Sequence, residues 1–344
     1  MKNQLILENV TVHRDKTLAV NDITFALSPG EIACILGPSA SGKSTILRAI
    51  AGFNRVSSGY IQIKDQKIST KQFCLPPEKR AVGMVFQDFA LFPHLNVRDN
   101  INFGLHHLAT KKRTERIEEM LDLVNLREVL HRYPHELSIG QQQRVALGRA
   151  MAPNPNILLL DEPFASLDME NTNRLIREMR KLLKQNNVTT LMVTHDQNEA
   201  FIMSDEVILV NSGRIQEKGN PKKLFQYPST IFAAEFLGLG SVVSADLDSD
   251  GNLGLGLGKI PAHLETDRFG QRVKLLLRPN SVISDDDGSH TLKIVEKSFH
   301  GRTQSYVLEL PDQQNVVCDT SPDVDKAVGQ SLKVRFCLDE VTIF

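Results

Sequence analysis

The segment from residue 37 to residue 44 reads Gly-Pro-Ser-Ala-Ser-Gly-Lys-Ser, a glycine-rich stretch that ends in a lysine and a hydroxyl residue. It follows an apolar run at 32–36 and precedes a helical pattern at 45–50. In this strand–loop–helix context, glycines let backbone N–H groups approach an anion closely, and the helix N-terminus adds partial positive charge. The spacing is typical of loops that wrap nucleotide phosphates. We call residues 37–45 the phosphate loop.

The phosphate loop predicts a metal–nucleotide site. Lys43 is expected at the β- and γ-phosphates, and the Ser44 hydroxyl is expected on Mg²⁺. The predicted phosphate-binding residues are Gly37, Pro38, Ser39, Ala40, Ser41, Gly42, Lys43, Ser44 and Thr45.

Two adjacent carboxylates, Asp161 and Glu162, end a second apolar run at 157–160. An isolated pair of this kind is more often a solvated turn. Beside a phosphate loop, the aspartate is expected to hold Mg²⁺ opposite Ser44, and the glutamate to polarise an attacking water. The combination therefore predicts nucleotide hydrolysis.

A second helix start lies in the segment 137–144, which reads Leu-Ser-Ile-Gly-Gln-Gln-Gln-Arg. Ser138 is a good N-cap for a helix that runs on to residue 150, and a helix N-terminus can bind an anion. Taken alone, the segment indicates only a capped helix. We call residues 137–144 the signature segment.

The signature segment resembles the signature motif of the ABC (ATP-binding cassette) ATPases, whose common form is L-S-G-G-Q. The other landmarks of that family follow in the expected order. Gln87 resembles the Q-loop glutamine, 166–168 resembles the D-loop, and His195 resembles the switch histidine. The resemblance implies an α/β fold: a P-loop NTPase cassette with a RecA-like core, a helical subdomain at about 88–152 and an antiparallel β subdomain.

The resemblance also implies roles for the remaining motif residues. Two subunits would pair head to tail, so that each ATP lies between one phosphate loop and the signature segment of the other subunit. Contacts to the γ-phosphate in trans would come from Ser138, Gly140 and Gln141, and the D-loop would contribute Ser166 and Asp168. The implied Mg²⁺ ligands are Ser44, Gln87 and Asp161, and the implied catalytic residues are Glu162 and His195.

Two positions depart from the family pattern. Ile139 stands where the first signature glycine is usual. A β-branched residue adopts positive φ only at a cost and blocks close backbone approach, so we expect a weaker contact in trans. The adenine-stacking aromatic would align with Arg14; an arginine can also stack on a base, and His13 is adjacent.

The chain has 344 residues, which predicts two domains. Alternating strand and helix patterns indicate a doubly wound α/β domain over 1–237, and short strands after a glycine-rich stretch indicate a small all-β barrel or sandwich over 238–344. The latter resembles the oligobinding-type regulatory domain of importer ATPases. The net charge of −1 does not favour binding to nucleic acid or to an anionic membrane surface. The four cysteines are far apart in the sequence and do not have the spacing of metal ligands.

The predicted function is that of the ATP-hydrolysing subunit of a bacterial ABC importer, most similar in 75–107 and 132–155 to ferric-iron importers. Polyamine, maltose or other sugar, and sulfate uptake are alternatives. The chain has neither an apolar run long enough to cross a bilayer nor a secretory signal, which predicts a soluble chain. The resemblance to importer ATPases implies a peripheral location at the cytoplasmic face of the bacterial inner membrane. Expected partners are a second copy, membrane permeases that contact 89–95, and, through them, an extracytoplasmic binding protein.

Two further alternatives stay open. A soluble ABC protein could act mechanically on DNA or ribosomes, although such proteins usually carry coiled-coil insertions or two cassettes. The other alternative is a regulator that binds ATP without hydrolysing it, because Ile139 weakens its activity.

Overall fold

The computed structural model describes residues 3–14, 17–165, 169–261, 268–338 and 341–344. The chain divides into two compact units, residues 1–222 and 223–344. This division precedes the change of sequence texture at residue 238, because a short helix before that residue contacts the first strand of the second unit. No helix in the described ranges has both the length and the apolar character needed to span a bilayer.

The first unit alternates strands and helices. Its strands are β1 (Leu5–Arg14), β2 (Thr17–Leu27), β3 (Ile32–Leu36), β4 (Ser58–Ile63), β5 (Gln66–Thr70), β6 (Val82–Val85), β7 (Ile157–Asp161), β8 (Thr190–Thr194), β9 (Glu206–Asn211) and β10 (Arg214–Gly219). Its α-helices are α1 (Lys43–Ala51), α2 (Val97–Asn102), α3 (Thr110–Leu123), α4 (Ile139–Met151), α5 (Met169–Gln185) and α6 (Gln197–Met203); α7 (Pro221–Gln226) crosses the division. Single 3₁₀ turns occur at Pro77–Lys79, Phe103–Leu105, Arg127–Val129 and Pro134–Glu136.

Two sheets form the first unit. The six-stranded sheet has the order β10-β9-β3-β8-β7-β6, and all its pairs are parallel except β9–β10. Every residue of β3, β7 and β8 is buried, as expected for central parallel strands covered on both faces. The other sheet, β2-β1-β4-β5, is antiparallel. Between β6 and β7 the described residues form only helices and turns.

The second unit is built from antiparallel strands after α8 (Ile231–Phe236). One five-stranded sheet has the order β13-β12-β11-β14-β20 and the other has the order β15-β19-β16-β17-β18, with a shared apolar core. This confirms the predicted all-β C-terminal domain. The strands are β11 (Ser241–Leu247), β12 (Asn252–Gly254), β13 (Lys259–Pro261), β14 (Arg272–Leu277), β15 (Val282–Ser284), β16 (His290–Phe299), β17 (Gln304–Glu309), β18 (Asn315–Thr320), β19 (Ser331–Phe336) and β20 (Thr342–Ile343), with a 3₁₀ turn at Pro279–Ser281.

A buried arginine fixes the end of the helix that follows the phosphate loop. The guanidinium of Arg80 donates to the carbonyls of Ala49 and Ile50, in the last turn of α1, at 2.9 and 2.8 Å. It also donates to the Leu75 carbonyl at 2.7 Å and to the Ser69 hydroxyl at 2.8 Å. These bonds satisfy carbonyls that a helix C-terminus leaves without partners, and they add a favourable charge there.

We expect Arg80→Met to lower the free energy of unfolding by about 3 kcal/mol, because several buried acceptors lose their donor at once. Urea unfolding followed by circular dichroism measures this loss. Lys79→Met, at the exposed neighbouring position, is the control and is expected to change stability by less than about 0.5 kcal/mol. Equal losses in the two variants would contradict the assignment.

Candidate functional site

The parallel register makes three strands end at the same edge of the six-stranded sheet. Leu36, the last residue of β3, pairs with Thr194 of β8, and Asp161 of β7 pairs with Val193. The phosphate loop, Glu162 and His195 therefore leave the sheet side by side. The six-stranded sheet thus brings together predicted site residues that are more than a hundred positions apart in sequence.

The glycines of the phosphate loop stand where no side chain fits. At Gly42, which has a φ of 104°, a Cβ would lie 2.5 Å from the carbonyl oxygen of Ala19. At Gly37 it would lie 2.0 Å from the carbonyl oxygen of Val210. The loop is thereby pressed against two neighbouring strands, and α1 begins directly after Gly42. Its first-turn N–H groups lack intrahelical partners, as an anion site requires.

Two further features of the phosphate loop are costly. Ala40 has a φ of 62°, a left-handed conformation that costs a non-glycine residue about 1–2 kcal/mol. The buried Ser41 hydroxyl has no hydrogen-bond partner among the described residues. Strain and unsatisfied buried groups of this kind concentrate at functional sites.

Lys43 folds back over the phosphate loop. Its ammonium donates to the carbonyls of Gly37 and Pro38, both at 2.8 Å, and the residue is only 5% exposed. Burial lowers the pKa of this ammonium, while the nearby Glu162 and Asp161 act in the opposite direction. A buried cation held by two carbonyls is well placed to exchange them for phosphate oxygens.

Asp161 and Ser44 form the candidate metal site. The Ser44 hydroxyl donates to Oδ1 of Asp161 at 3.2 Å, and Asp161 is 7% exposed. Burial raises the pKa of this carboxyl, and the bond from Ser44 opposes that effect. Gln87 follows β6, which pairs in parallel with β7, so it leaves the same sheet edge. Hydroxyl, carboxylate and amide oxygens are hard ligands that suit Mg²⁺.

Glu162 is held in an unusual backbone conformation beside His195. Its φ is 46°, and its N–H donates to the Val193 carbonyl at 3.0 Å. Its Oε2 lies 3.2 Å from Nδ1 of His195. The next carbonyl, that of Pro163, accepts from Nε2 of Gln143 at 2.9 Å. The sequence analysis did not select Gln143, and a third glutamine in a row on a helix gives no sign of such a contact.

A network of hydrogen bonds fixes the backbone around His195. The Thr194 hydroxyl donates to Oε2 of Glu199 at 2.5 Å and accepts from the Asp196 N–H at 3.1 Å. The Asp196 carboxylate in turn accepts from the Glu199 N–H at 2.9 Å, which caps α6. Burial raises the pKa of the Glu199 carboxyl, and the bond from Thr194 opposes that effect. Sequence reasoning also missed this glutamate.

The signature segment begins α4 through a capping box. The Ser138 hydroxyl accepts from the Gln141 N–H at 3.3 Å, and the Gln141 side chain accepts from the Ser138 N–H at 3.0 Å. Ser138 is exposed, and a Cβ on Gly140 would meet only one atom, 3.9 Å away. This helix start is therefore open to an approaching anion.

The expectation that Ile139 would strain the backbone is wrong. Ile139 is the first residue of α4 and does not have a positive φ, so a β-branched residue is tolerated there. Its side chain is 46% exposed. The other part of the expectation, that this side chain blocks close approach and weakens the contact in trans, stays a prediction.

The remaining predicted residues stay predictions. Arg14 ends β1 opposite Thr17, and His13 approaches the Ser57 hydroxyl at 2.9 Å; both predicted adenine-stacking residues are exposed. The predicted D-loop residues Ser166 and Asp168 lie outside the described residues.

Comparisons with known proteins identify relatives of this chain. The ABC transporter family model matches residues 20–165. A spermidine/putrescine import ATP-binding protein of Nitratidesulfovibrio vulgaris is 37% identical over 97% of this chain and 95% of the relative. An Fe(3+) ions import ATP-binding protein of Haemophilus influenzae is 36% identical over 96% of this chain and 94% of the relative. A solved structure of a dimeric ATP-binding cassette, bound to ADP and Pi in a post-hydrolysis state, is 31% identical to this chain and has a TM-score of 0.55. The match covers 63% of this chain and 98% of the cassette.

The raised pKa of Glu199 predicts a pH-dependent stability. Between the ordinary value of 4.5 and the higher value in the folded protein, the native state keeps a proton that the unfolded chain releases. Stability therefore falls as pH rises through this window, and the full penalty is present above it. We expect Glu199→Gln to be more stable than the wild type near neutral pH, because the amide still accepts from Thr194.

Urea unfolding between about pH 4 and pH 7 measures the effect, and the advantage of the variant should shrink as pH falls toward the ordinary carboxyl value. Glu115→Gln, at an exposed position on α3, is the matched control. A stability difference that is constant with pH would rule out burial of the carboxylate as its cause.

Proposed function

This chain belongs to the ABC transporter family, as the ATP-binding and ATP-hydrolysing subunit of an importer, and we propose that the solute it serves is ferric iron. The Haemophilus influenzae relative, an Fe(3+) ions import ATP-binding protein, supports iron. Polyamine uptake is the second candidate, favoured by the Nitratidesulfovibrio vulgaris relative. The observation that carries hydrolysis is the grouping of Lys43, Asp161 and Glu162 at one sheet edge.

In the proposed reaction, the phosphate loop binds the triphosphate through residues 37–45. Lys43 gives up its two carbonyl partners and neutralises the β- and γ-phosphates. Ser44, Asp161 and Gln87 would hold Mg²⁺, whose positive charge stabilises the developing charge on the phosphates. Glu162 accepts a hydrogen bond from the attacking water and orients it toward the γ-phosphate. His195 contributes a ring N–H group to the same phosphate, and Arg14 or His13 stacks on the adenine.

A second copy of the chain completes the proposed site. Ser138, Gly140 and Gln141 of one subunit would contact the γ-phosphate bound by the other, together with the D-loop residues Ser166 and Asp168. The exposure of Ser138 at the start of α4 supports this arrangement, as does the relative solved as a dimer. Residues 1–237 form the nucleotide-binding domain in this proposal, and 238–344 form a regulatory domain.

Exposed aromatic residues support a membrane permease as partner. Phe53 and Phe103 are about half exposed, and their rings lie 6.4 Å from Phe86 and 4.2 Å from Phe92, respectively. A permease helix that packed on 89–95 would cover such surface. An extracytoplasmic binding protein would deliver the solute to the permease, and this chain would act at the cytoplasmic face of the inner membrane.

Substitution of Glu162 separates binding from hydrolysis. We expect Glu162→Gln to bind Mg-ATP about as tightly as the wild type and to lose turnover by a factor of about 10²–10⁴, because only the proton acceptor is removed. Lys43→Ala is expected to lose affinity instead. ATP binding by calorimetry and phosphate release measure both.

The two variants also test the alternatives. A Glu162→Gln variant with wild-type turnover would refute the catalytic assignment. A wild type as inactive as that variant would favour a regulator that only binds ATP. Ribosomes recovered with the purified protein, in place of permease subunits, would favour a mechanical ATPase of another class.

Uptake assays test the proposed solute. Cells without this gene are expected to lose most uptake of labelled ferric iron and to keep uptake of labelled spermidine. A plasmid-borne wild-type gene should restore iron uptake, whereas the Lys43→Ala gene should not. Loss of spermidine uptake alone would select the polyamine alternative, and no defect in either solute would refute both.

A further inference from the structure

Gln143 is a buried polar residue whose position suggests a task beyond packing. It lies in α4, five residues after Ser138, and is only 2% exposed. Its side-chain N–H group crosses from α4 to the carbonyl of Pro163, directly after Glu162, at 2.9 Å. A buried amide donor that reaches another element is a specific constraint, because its loss would leave a buried carbonyl unsatisfied.

The segment that Gln143 contacts needs such a constraint. Glu162 has a φ of 46°, a conformation that a non-glycine residue keeps only when its surroundings enforce it. On the amino side, the Glu162 N–H is held by the Val193 carbonyl at 3.0 Å. On the carboxyl side, Pro163 has no N–H, so its carbonyl is its only main-chain hydrogen-bonding group. Gln143 occupies that carbonyl.

We propose that Gln143 is a positioning residue for Glu162, and that it couples the carboxylate of one subunit to the nucleotide bound by the other. The proposal rests on the proposed function, in which Glu162 orients water and α4 begins at the γ-phosphate of the partner's ATP. Ser138 and Gln143 are separated by about 7.5 Å along the helix. A shift of α4 caused by nucleotide at Ser138 would therefore also move Pro163, because α4 is rigid and Gln143 is hydrogen-bonded to the Pro163 carbonyl.

The geometry gives a specific kinetic expectation. Removal of the Gln143 donor releases the Pro163 carbonyl and leaves the carboxyl side of Glu162 with the longer bond from the Ala165 N–H to the Glu162 carbonyl, at 3.3 Å. The phosphate loop, Ser44 and Asp161 are not touched. The carboxylate then loses its alignment with the attacking water, whereas ATP binds as before. Misplacement of a catalytic group by about 1 Å can cost up to about 10²-fold in rate.

Gln143→Met tests the proposal, because methionine has a similar length and no donor. We expect kcat for ATP hydrolysis to fall about ten- to a hundredfold, with the KM and Kd for Mg-ATP within about twofold of wild type. The Hill coefficient for ATP should fall toward about 1, because the two sites lose their connection.

Gln304→Met is the matched control. Gln304 lies on β17 of the second unit, is 5% exposed, and donates from its side chain to the Ser298 carbonyl at 2.7 Å. The control loses a buried amide-to-carbonyl bond of the same kind, so any general loss of stability should appear in both variants. We expect it to keep kcat within about threefold of wild type.

Three outcomes decide the matter. Equal kcat values for the two variants would overturn the proposal, and so would a fall in kcat for Gln143→Met matched by an equal loss of ATP affinity. An unchanged Hill coefficient in a slow Gln143→Met variant would overturn the coupling between sites. Glu162→Gln distinguishes failure of the proposed function from failure of this inference. If Glu162→Gln retains wild-type turnover, the proposed function itself is wrong. If Glu162→Gln is inactive, a negative result with Gln143→Met refutes only the role of Gln143.

Discussion

β3, β7 and β8 end at the same edge of the six-stranded sheet, and the candidate nucleotide site depends on this constraint. Parallel pairing sets Asp161 beside Val193 and Leu36 beside Thr194, and this register gathers an ammonium and two carboxylates at one edge. Burial disfavours the charged forms of both Lys43 and Asp161, as the opposite directions of their pKa shifts indicate. A ligand that carries anionic oxygens and a divalent cation would relieve both costs together.

Much of this arrangement is encoded locally. The run at 157–160 and the carboxylates after it predict β7, observed as Ile157–Asp161, because a continuous apolar run in a short segment is typical of a central strand. In the second unit, short strands were predicted after the glycine-rich stretch, and the structure has them, among them Arg272–Leu277 and Asn315–Thr320. The phosphate loop was identified for the same reason, since its spacing and its flanking elements are contiguous in the chain.

Contacts between distant segments were beyond sequence reasoning. Three polar residues hydrogen-bond to groups in other turns or elements, and nothing in the sequence pattern around them predicts those partners. They are Arg80, Gln143 and Glu199. The error about Ile139 has a related cause. It assumed that a position usually held by glycine needs positive φ, whereas the N-cap Ser138 makes residue 139 the first residue of an ordinary helix.

That correction changes what Ile139 means for the proposed dimer. The capping box occupies the Ser138 and Gln141 N–H groups, but the Ile139 and Gly140 N–H groups have no intrahelical partners. These two groups belong to the backbone and are present whatever the side chain at residue 139. An isoleucine at this position therefore keeps the amides available to a phosphate. The half-exposed side chain of Ile139 instead has two opposing effects on closure of the dimer. It adds apolar surface, whose burial favours closure. It also adds bulk, which limits how closely the second subunit approaches. In the proposed dimer, the departure from the family pattern would therefore act on the tightness of closure, through the surface of the Ile139 side chain.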